Sequence, residues 1–226
     1  MKASHRFCLV LALFSLHQAA KGQDSYWDNA YAGGGAADGG ATKSSGGGLF
    51  GASQFSYGYF DFGYFVHTFD AEVLDDANGF AGALSIPLAD SLYVKAALGF
   101  AHPEDQDGKE IDYVAWDLGG GIGLPIGSSA FDIVLEAGIA HRKLGDGAFE
   151  DPIDGYGFYV MPGVRWGLGE VIELNGGVTF LNVDSDGNVA VDVKALLHLT
   201  PSVSLFAEGS FAEEVNQYGV GLRLSF

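Results

Sequence analysis

Twelve ionisable residues fall at alternate positions inside otherwise apolar stretches of this 226-residue chain. They are Asp61, Lys95, Asp117, Asp132, Glu136, Arg142, Arg165, Glu173, Asp192, Lys194, Glu208 and Arg223. In an extended strand alternate side chains share a face. This spacing therefore gathers charge on one side and apolar residues on the other. Acids and bases in one enclosed space could line a path for ions. They could equally neutralise one another in a filled core, because a buried unpaired charge costs several kcal/mol. Gly119, Gly121, Gly123, Gly138 and Gly163 lie on the charged phase. Such small residues either leave room for water or make room for large neighbours such as Tyr93 and Tyr159. The filled, barely conducting core is the expectation.

Other candidate chemistry is thinner. His67 lies on the charged phase with Asp70 close by, and the two could form an acid–base pair. No serine sits beside His67 in sequence to act as a nucleophile. His102 and His141 fall on the apolar phase near the same end of their strands, and His198 lies at the opposite end. No catalytic residue is assigned. Acids crowd the longer connections, among them Asp70, Glu72, Asp75, Glu104, Asp107, Glu110, Asp146, Glu150, Asp184 and Glu213. Such a rim attracts cations and could hold divalent ions through carboxylate oxygens. The stretches 105–112 and 184–188 resemble fragments of calcium loops, but neither has the full ligand spacing. Solvated loop acids are expected, with no assigned metal site and no cofactor.

The alternation that places these residues runs through ten stretches: 54–67, 78–88, 91–101, 112–125, 131–143, 155–167, 171–182, 189–199, 203–212 and 217–226. In the eighth, Val189, Val191, Val193, Ala195, Leu197 and Leu199 oppose Asp192, Lys194 and His198. The first is aromatic on both faces, so its phase is the least defined. Connections alternate in length. Short ones at 88–91, 127–129, 167–170 and 200–202 alternate with longer polar ones at 68–77, 102–111, 144–154, 183–188 and 213–216. Short turns at one end and long loops at the other are the signature of an up-and-down antiparallel barrel in an outer membrane. An even strand count puts both chain ends on the periplasmic side. Eight strands is the second choice. A soluble barrel would turn its greasy residues inward, against the placement of the charges.

Both ends of the chain agree. Tyr218, Val220, Leu222, Leu224 and Phe226 share one face, and a strand so greasy would be a sticky edge in a soluble protein. Residues 1–21 combine early positive charge, an apolar run and small residues near its end, which reads as a cleaved signal peptide. The only cysteine, Cys8, lies within it. Residues 22–52 are glycine-rich and read as a flexible tether rather than a plug, and 53–226 form the barrel. The formal net charge of -18 disfavours nucleic acid as a partner. Trp116, Phe100 and Phe158 near the loops, with Trp166, Phe131, Tyr218 and Phe226 nearer the turns, could form two interfacial girdles.

Residues 54–226 resemble the small bacterial outer-membrane β-barrels of the opacity-protein and porin-like superfamily. The resemblance is carried by the aromatic stretch 55–64, by 76–85 with the turn and strand 88–94, and by the closing strand. Tyr218, Gly221, Leu224 and Phe226 are similar to the C-terminal signal read by the barrel-assembly machinery, although Gly219 stands where that signal has a polar residue. The resemblance implies a Gram-negative outer membrane, with lipid, lipopolysaccharide and the assembly machinery as partners. It leaves activity open, since one barrel shape hosts many roles. A structural or surface-interaction role through the acidic loops is expected first, a small cation-leaning pore second, and a hydrolase at the rim third. Deleting Phe226 should lower the amount of assembled barrel in the outer-membrane fraction before it changes any activity. Wild-type assembly of the truncated chain would contradict this reading of the tail.

Overall fold

A computed structural model describes residues 53, 55–69, 76–104, 108, 110–127, 130–144, 154–184, 186–213 and 215–226. Ten antiparallel strands form one closed barrel in chain order. They are β1 (Tyr59–Phe69), β2 (Ala77–Pro87), β3 (Leu92–Ala101), β4 (Tyr113–Pro125), β5 (Phe131–Leu144), β6 (Asp154–Leu168), β7 (Ile172–Val183), β8 (Asp186–Thr200), β9 (Val203–Ala212) and β10 (Val215–Ser225). Each strand pairs with its sequence neighbours, and β1 closes on β10 from Tyr59↔Ser225 to Phe69↔Val215. Closure leaves no edge strand, so every strand has a hydrogen-bonding neighbour on each side. Both chain ends of the barrel lie at the end that carries the short turns, called here the turn end.

The period-two pattern maps onto inside and outside. Phe62, Val220 and Trp166 are 51%, 59% and 49% exposed on the outer surface, whereas Arg142, Arg165 and Arg223 are wholly buried in the lumen. A greasy exterior around a charged interior reverses the polarity of a soluble protein, and it is the arrangement of a transmembrane barrel. Even β1 keeps a single phase. Phe60, Phe62 and Tyr64 face out, while Tyr59, Asp61 and Phe65 face in.

Three expectations change. The first strand begins at Tyr59 rather than 54, because Phe55, Ser56 and Tyr57 turn into the lumen. Strand pairing runs further than the polar residues suggested at two loops. Val183 pairs with Asp186, and only two residues separate β9 from β10, so neither connection is long. Asp184 takes a left-handed conformation (φ 50°) in that tight turn, and Asp186–Asn188 belong to β8 rather than to a ligand loop. Tyr218 pairs with Val66 and Gly209, which places it near the loop end and not with the turn-end girdle. His141 lies on the outer face, as expected, and is covered there. It stacks on Trp116 at 5.4 Å and meets Tyr156 at 4.4 Å.

A closed barrel resists detergent until it is heated. Unboiled protein should migrate differently from boiled protein on a detergent gel. Identical mobility, with extraction in the aqueous fraction, would rule out this fold.

Candidate functional site

The strand register puts all twelve ionisable residues of the charged phase inside the barrel. They form linked groups rather than a uniform lining. Asp61 on β1 accepts from Arg223 Nε of β10 at 2.7 Å and from Lys194 Nζ of β8 at 2.9 Å. A second Arg223 nitrogen meets its other oxygen, which makes the arginine–carboxylate pair bidentate. Lys194 reaches Glu208 on β9 at 2.7 Å. One network therefore spans β8, β9, β10 and β1, across the seam where the barrel closes.

Three further pairs fix the rest of the wall. Lys95 on β3 donates to Glu136 on β5 at 2.8 Å, and Tyr93 donates to the other oxygen of the same carboxylate. Arg142 on β5 donates to Asp117 on β4 at 2.8 Å. Arg165 on β6 makes a two-pronged pair with Glu173 on β7, whose second oxygen also lies 3.6 Å from His198. Nδ1 of His198 lies 2.8 Å from Ser204 Oγ, giving this histidine a structural setting at the turn end.

The tally leaves a remainder. Five cations are matched by Asp61, Glu208, Glu136, Asp117 and Glu173. Asp192 and Asp132 are held by hydroxyls instead. Asp192 accepts from Thr179 Oγ1 at 2.6 Å. Asp132, wholly buried, accepts from Ser53 Oγ at 2.6 Å and from the Tyr57 hydroxyl at 3.0 Å. Burial, and then the adjacent Asp132 carboxylate, push the Tyr57 phenol well above its ordinary range, so it remains a donor.

Ser53 and Phe55–Gly58 form a stopper in the turn-end mouth. The Tyr57 ring stacks on Tyr93 with centroids 4.9 Å apart, and the Arg165 guanidinium lies 4.1 Å from the centre of the Phe55 ring. Ser85 Oγ donates to the Tyr57 carbonyl at 2.8 Å, and the Phe226 N–H donates to the Gly58 carbonyl at 3.1 Å. The inward glycines explain how the rings fit. A Cβ at Gly123 would collide with the Tyr57 hydroxyl, and one at Gly121 with that of Tyr93. These glycines accommodate aromatic side chains rather than leaving a channel. A small cavity lies beside Asp61, Ala83, Ala97, Lys194 and Glu208.

Sequence reasoning missed the stopper. Its signal was available: Phe55, Tyr57 and Tyr59 are three bulky rings in succession on the charged phase. His67 is buried facing inward, while Asp70, its suggested partner, lies outside the described residues. His102 is exposed and lies 3.3 Å from Asp112. Residues 105–107 and 109 of one calcium-like stretch, most of the loop acids, and residues 1–52 are also outside the described residues. Among the described residues no three acids, histidines or cysteines group as metal ligands.

Fold and lumen together define a transmembrane β-barrel with a charge-paired, ring-filled interior. In architecture the chain resembles small porin-like outer-membrane β-barrels. The KdgM porin shares 11% identity at a TM-score of 0.45, over 74% of this chain and 99% of that one. An outer membrane channel from Pseudomonas putida F1 shares 11% identity at 0.42, over 80% and 98%. The N-terminal β-barrel domain of Pseudomonas aeruginosa OprF shares 13% identity at 0.37, over 75% and 98%. No protein-family model and no curated protein matches the sequence.

The Asp61 network should dominate stability. Asp61→Ala removes the carboxylate of the buried Arg223 and leaves Lys194 with Glu208 alone, and should cost about 3–5 kcal/mol. Lys143→Met, which breaks an exposed 3.6 Å contact to Asp154, should cost far less. Urea unfolding in micelles measures both, and equal costs would contradict this ranking.

Proposed function

We propose that this protein is an outer-membrane barrel with a closed lumen, and that its role is structural or surface-interacting, exercised through the acidic loops. The observation that carries the reading is the state of the lumen. Its five cations are neutralised by carboxylates, and its turn-end mouth is filled by Phe55 and Tyr57. An ion crossing it would have to displace pairs that are each other's solvation, at the cost of leaving charge unpaired. The working surface is then the loop end, where the sequence concentrates acids and few bases. A negative rim of this kind favours cationic surfaces and divalent ions over anionic solutes.

The same reading includes a cleaved signal peptide over 1–21, both barrel ends on the periplasmic side, and a Gram-negative outer membrane containing lipopolysaccharide. Assembly runs through the barrel-assembly machinery, which reads the closing strand. The reading contains no enzymatic step. A small cation-leaning pore is the second reading, favoured by one observation: Asp132 and Asp192 are held by hydroxyls and give the lumen an acidic excess.

Planar-bilayer recording separates the two. The purified full-length protein should leave the membrane silent. Cation-selective steps that shift when Asp192 is changed to Asn would sink the closed-lumen reading and favour the pore. In a second measurement, outer-membrane vesicles carrying the protein should adhere to a cationic surface. Adhesion should fall when Glu104 and Glu110 are changed to Gln, and unchanged adhesion would count against the acidic loops as the working surface.

A further inference from the structure

We propose that Ser53 and Phe55–Gly58 are a removable seal, docked in a preformed receptor at the turn-end mouth, whose withdrawal admits water to the lumen behind it. Three observations carry this. First, the segment is inside the barrel without being part of its wall: β1 begins only at Tyr59, yet Phe55, Ser56 and Tyr57 are buried. Second, the receptor is built for what it holds. Asp132 receives two hydroxyls from the segment, Tyr93 provides a stacking face, Arg165 lies over Phe55, and Gly123 has no side chain where the Tyr57 hydroxyl sits. Third, the strand pairing from Tyr59 onward and the wall's own ion pairs do not run through the segment. Arg165 keeps Glu173, Tyr93 keeps Glu136, and β1 keeps β10 along its length.

The contacts to the segment are therefore a separable layer. Four wall groups bond to the segment: Asp132 accepts the hydroxyls of Ser53 and Tyr57, while Ser85, Arg165 and the Phe226 N–H donate to the carbonyls of Tyr57, Ser56 and Gly58. Withdrawal transfers the Asp132 carboxylate and these donors to water, which solvates them in its place. The chain leading into Ser53 is the glycine-rich stretch 22–52. The inference goes beyond the closed-lumen reading: that reading concerns whether ions pass in the resting state, whereas this one concerns which residues close one mouth.

Water access to a single introduced thiol tests it, because Cys8 is the chain's only cysteine and can be replaced by Ser. Val134 is buried and inward-facing, two residues beyond Asp132 on β5 and in register with Gly123. Ala140 is buried in the loop half, beside Tyr159 and Leu181. The full chain carries Val134→Cys or Ala140→Cys and is reacted in micelles with a charged methanethiosulfonate. Changing Phe55 and Tyr57 to Ala should speed modification at position 134 by about tenfold or more, through local opening alone. The rate at position 140 and the heat-dependent gel shift should not change. An unchanged rate at 134 in the folded variant overturns the seal, as does a parallel rise at both positions, which marks general loosening. Fast modification at 134 in the parent also overturns it. If the double variant does not assemble, Tyr57→Ala alone is measured against the same three outcomes.

Discussion

Charge neutrality in a space closed to bulk water is the constraint on which the rest of this barrel depends. Asp61 shows how it works. Its carboxylate lies on β1, and its partners Arg223 and Lys194 lie on β10 and β8. Separating any one of these strands would leave a charge stranded in the lumen. The network thus adds side-chain bonds to the backbone ladder at the seam between first and last strands, the point where a linear chain must become a ring. Lipid supplies no inward hydrophobic force between strands, because tails are as apolar as the outward residues. Backbone pairing and lumenal bonding must hold the ring instead. Lys95–Glu136, Arg142–Asp117 and Arg165–Glu173 extend the same logic around β3 to β7.

Volume is the second constraint, and the glycines meet it. Tyrosine can reach across the bore only if the opposite wall is bare. Tyr57 over Gly123 and Tyr93 over Gly121 satisfy that condition. The rings also carry hydroxyls that are spent on lumenal carboxylates: Tyr93 on Glu136 and Tyr57 on Asp132. Filling space and satisfying charge are done by the same side chains. Replacing such a tyrosine with phenylalanine would keep the volume and lose the donor, so the two functions are separable by experiment even though they coincide in the structure.

Most of this was legible in the sequence because period-two alternation is written once per strand and ten times over. The phase of Val189 to Leu199 alone determines which way Asp192 and Lys194 point, and the structure follows it. What alternation cannot encode is partner choice across the bore. Lys95 pairs with Glu136, two strands away, and Asp61 reaches Lys194 on β8, and no local pattern specifies either. The ends of strands were also less legible. Polar residues at 183–188 suggested a loop, but in a barrel a strand can extend beyond the lipid and continue pairing with polar side chains. The stopper was hidden for a related reason. Phe55 and Tyr57 continue the alternation of β1, so periodicity alone assigns them to the wall, and only their bulk on the charged face argues otherwise.

The two faces of the barrel answer different questions. The outer face, with Phe62, Trp166 and Val220 exposed, is a statement about solvent: it belongs in lipid whatever the protein does. The inner face is a statement about charge, and here its charges are largely paired. A conducting lumen keeps its charges facing water, where they can exchange partners with a passing ion. This lumen commits its five cations to fixed carboxylates and fills the turn-end mouth with rings from its own chain. The two remaining carboxylates, Asp132 and Asp192, are the groups whose partners are weakest, being neutral hydroxyls. Asp132 lies under the stopper and Asp192 towards the loops. These two residues are therefore where the lumen's electrostatic balance is least tightly held, and the one beneath Tyr57 is covered by rings of the chain's own first residues in the barrel.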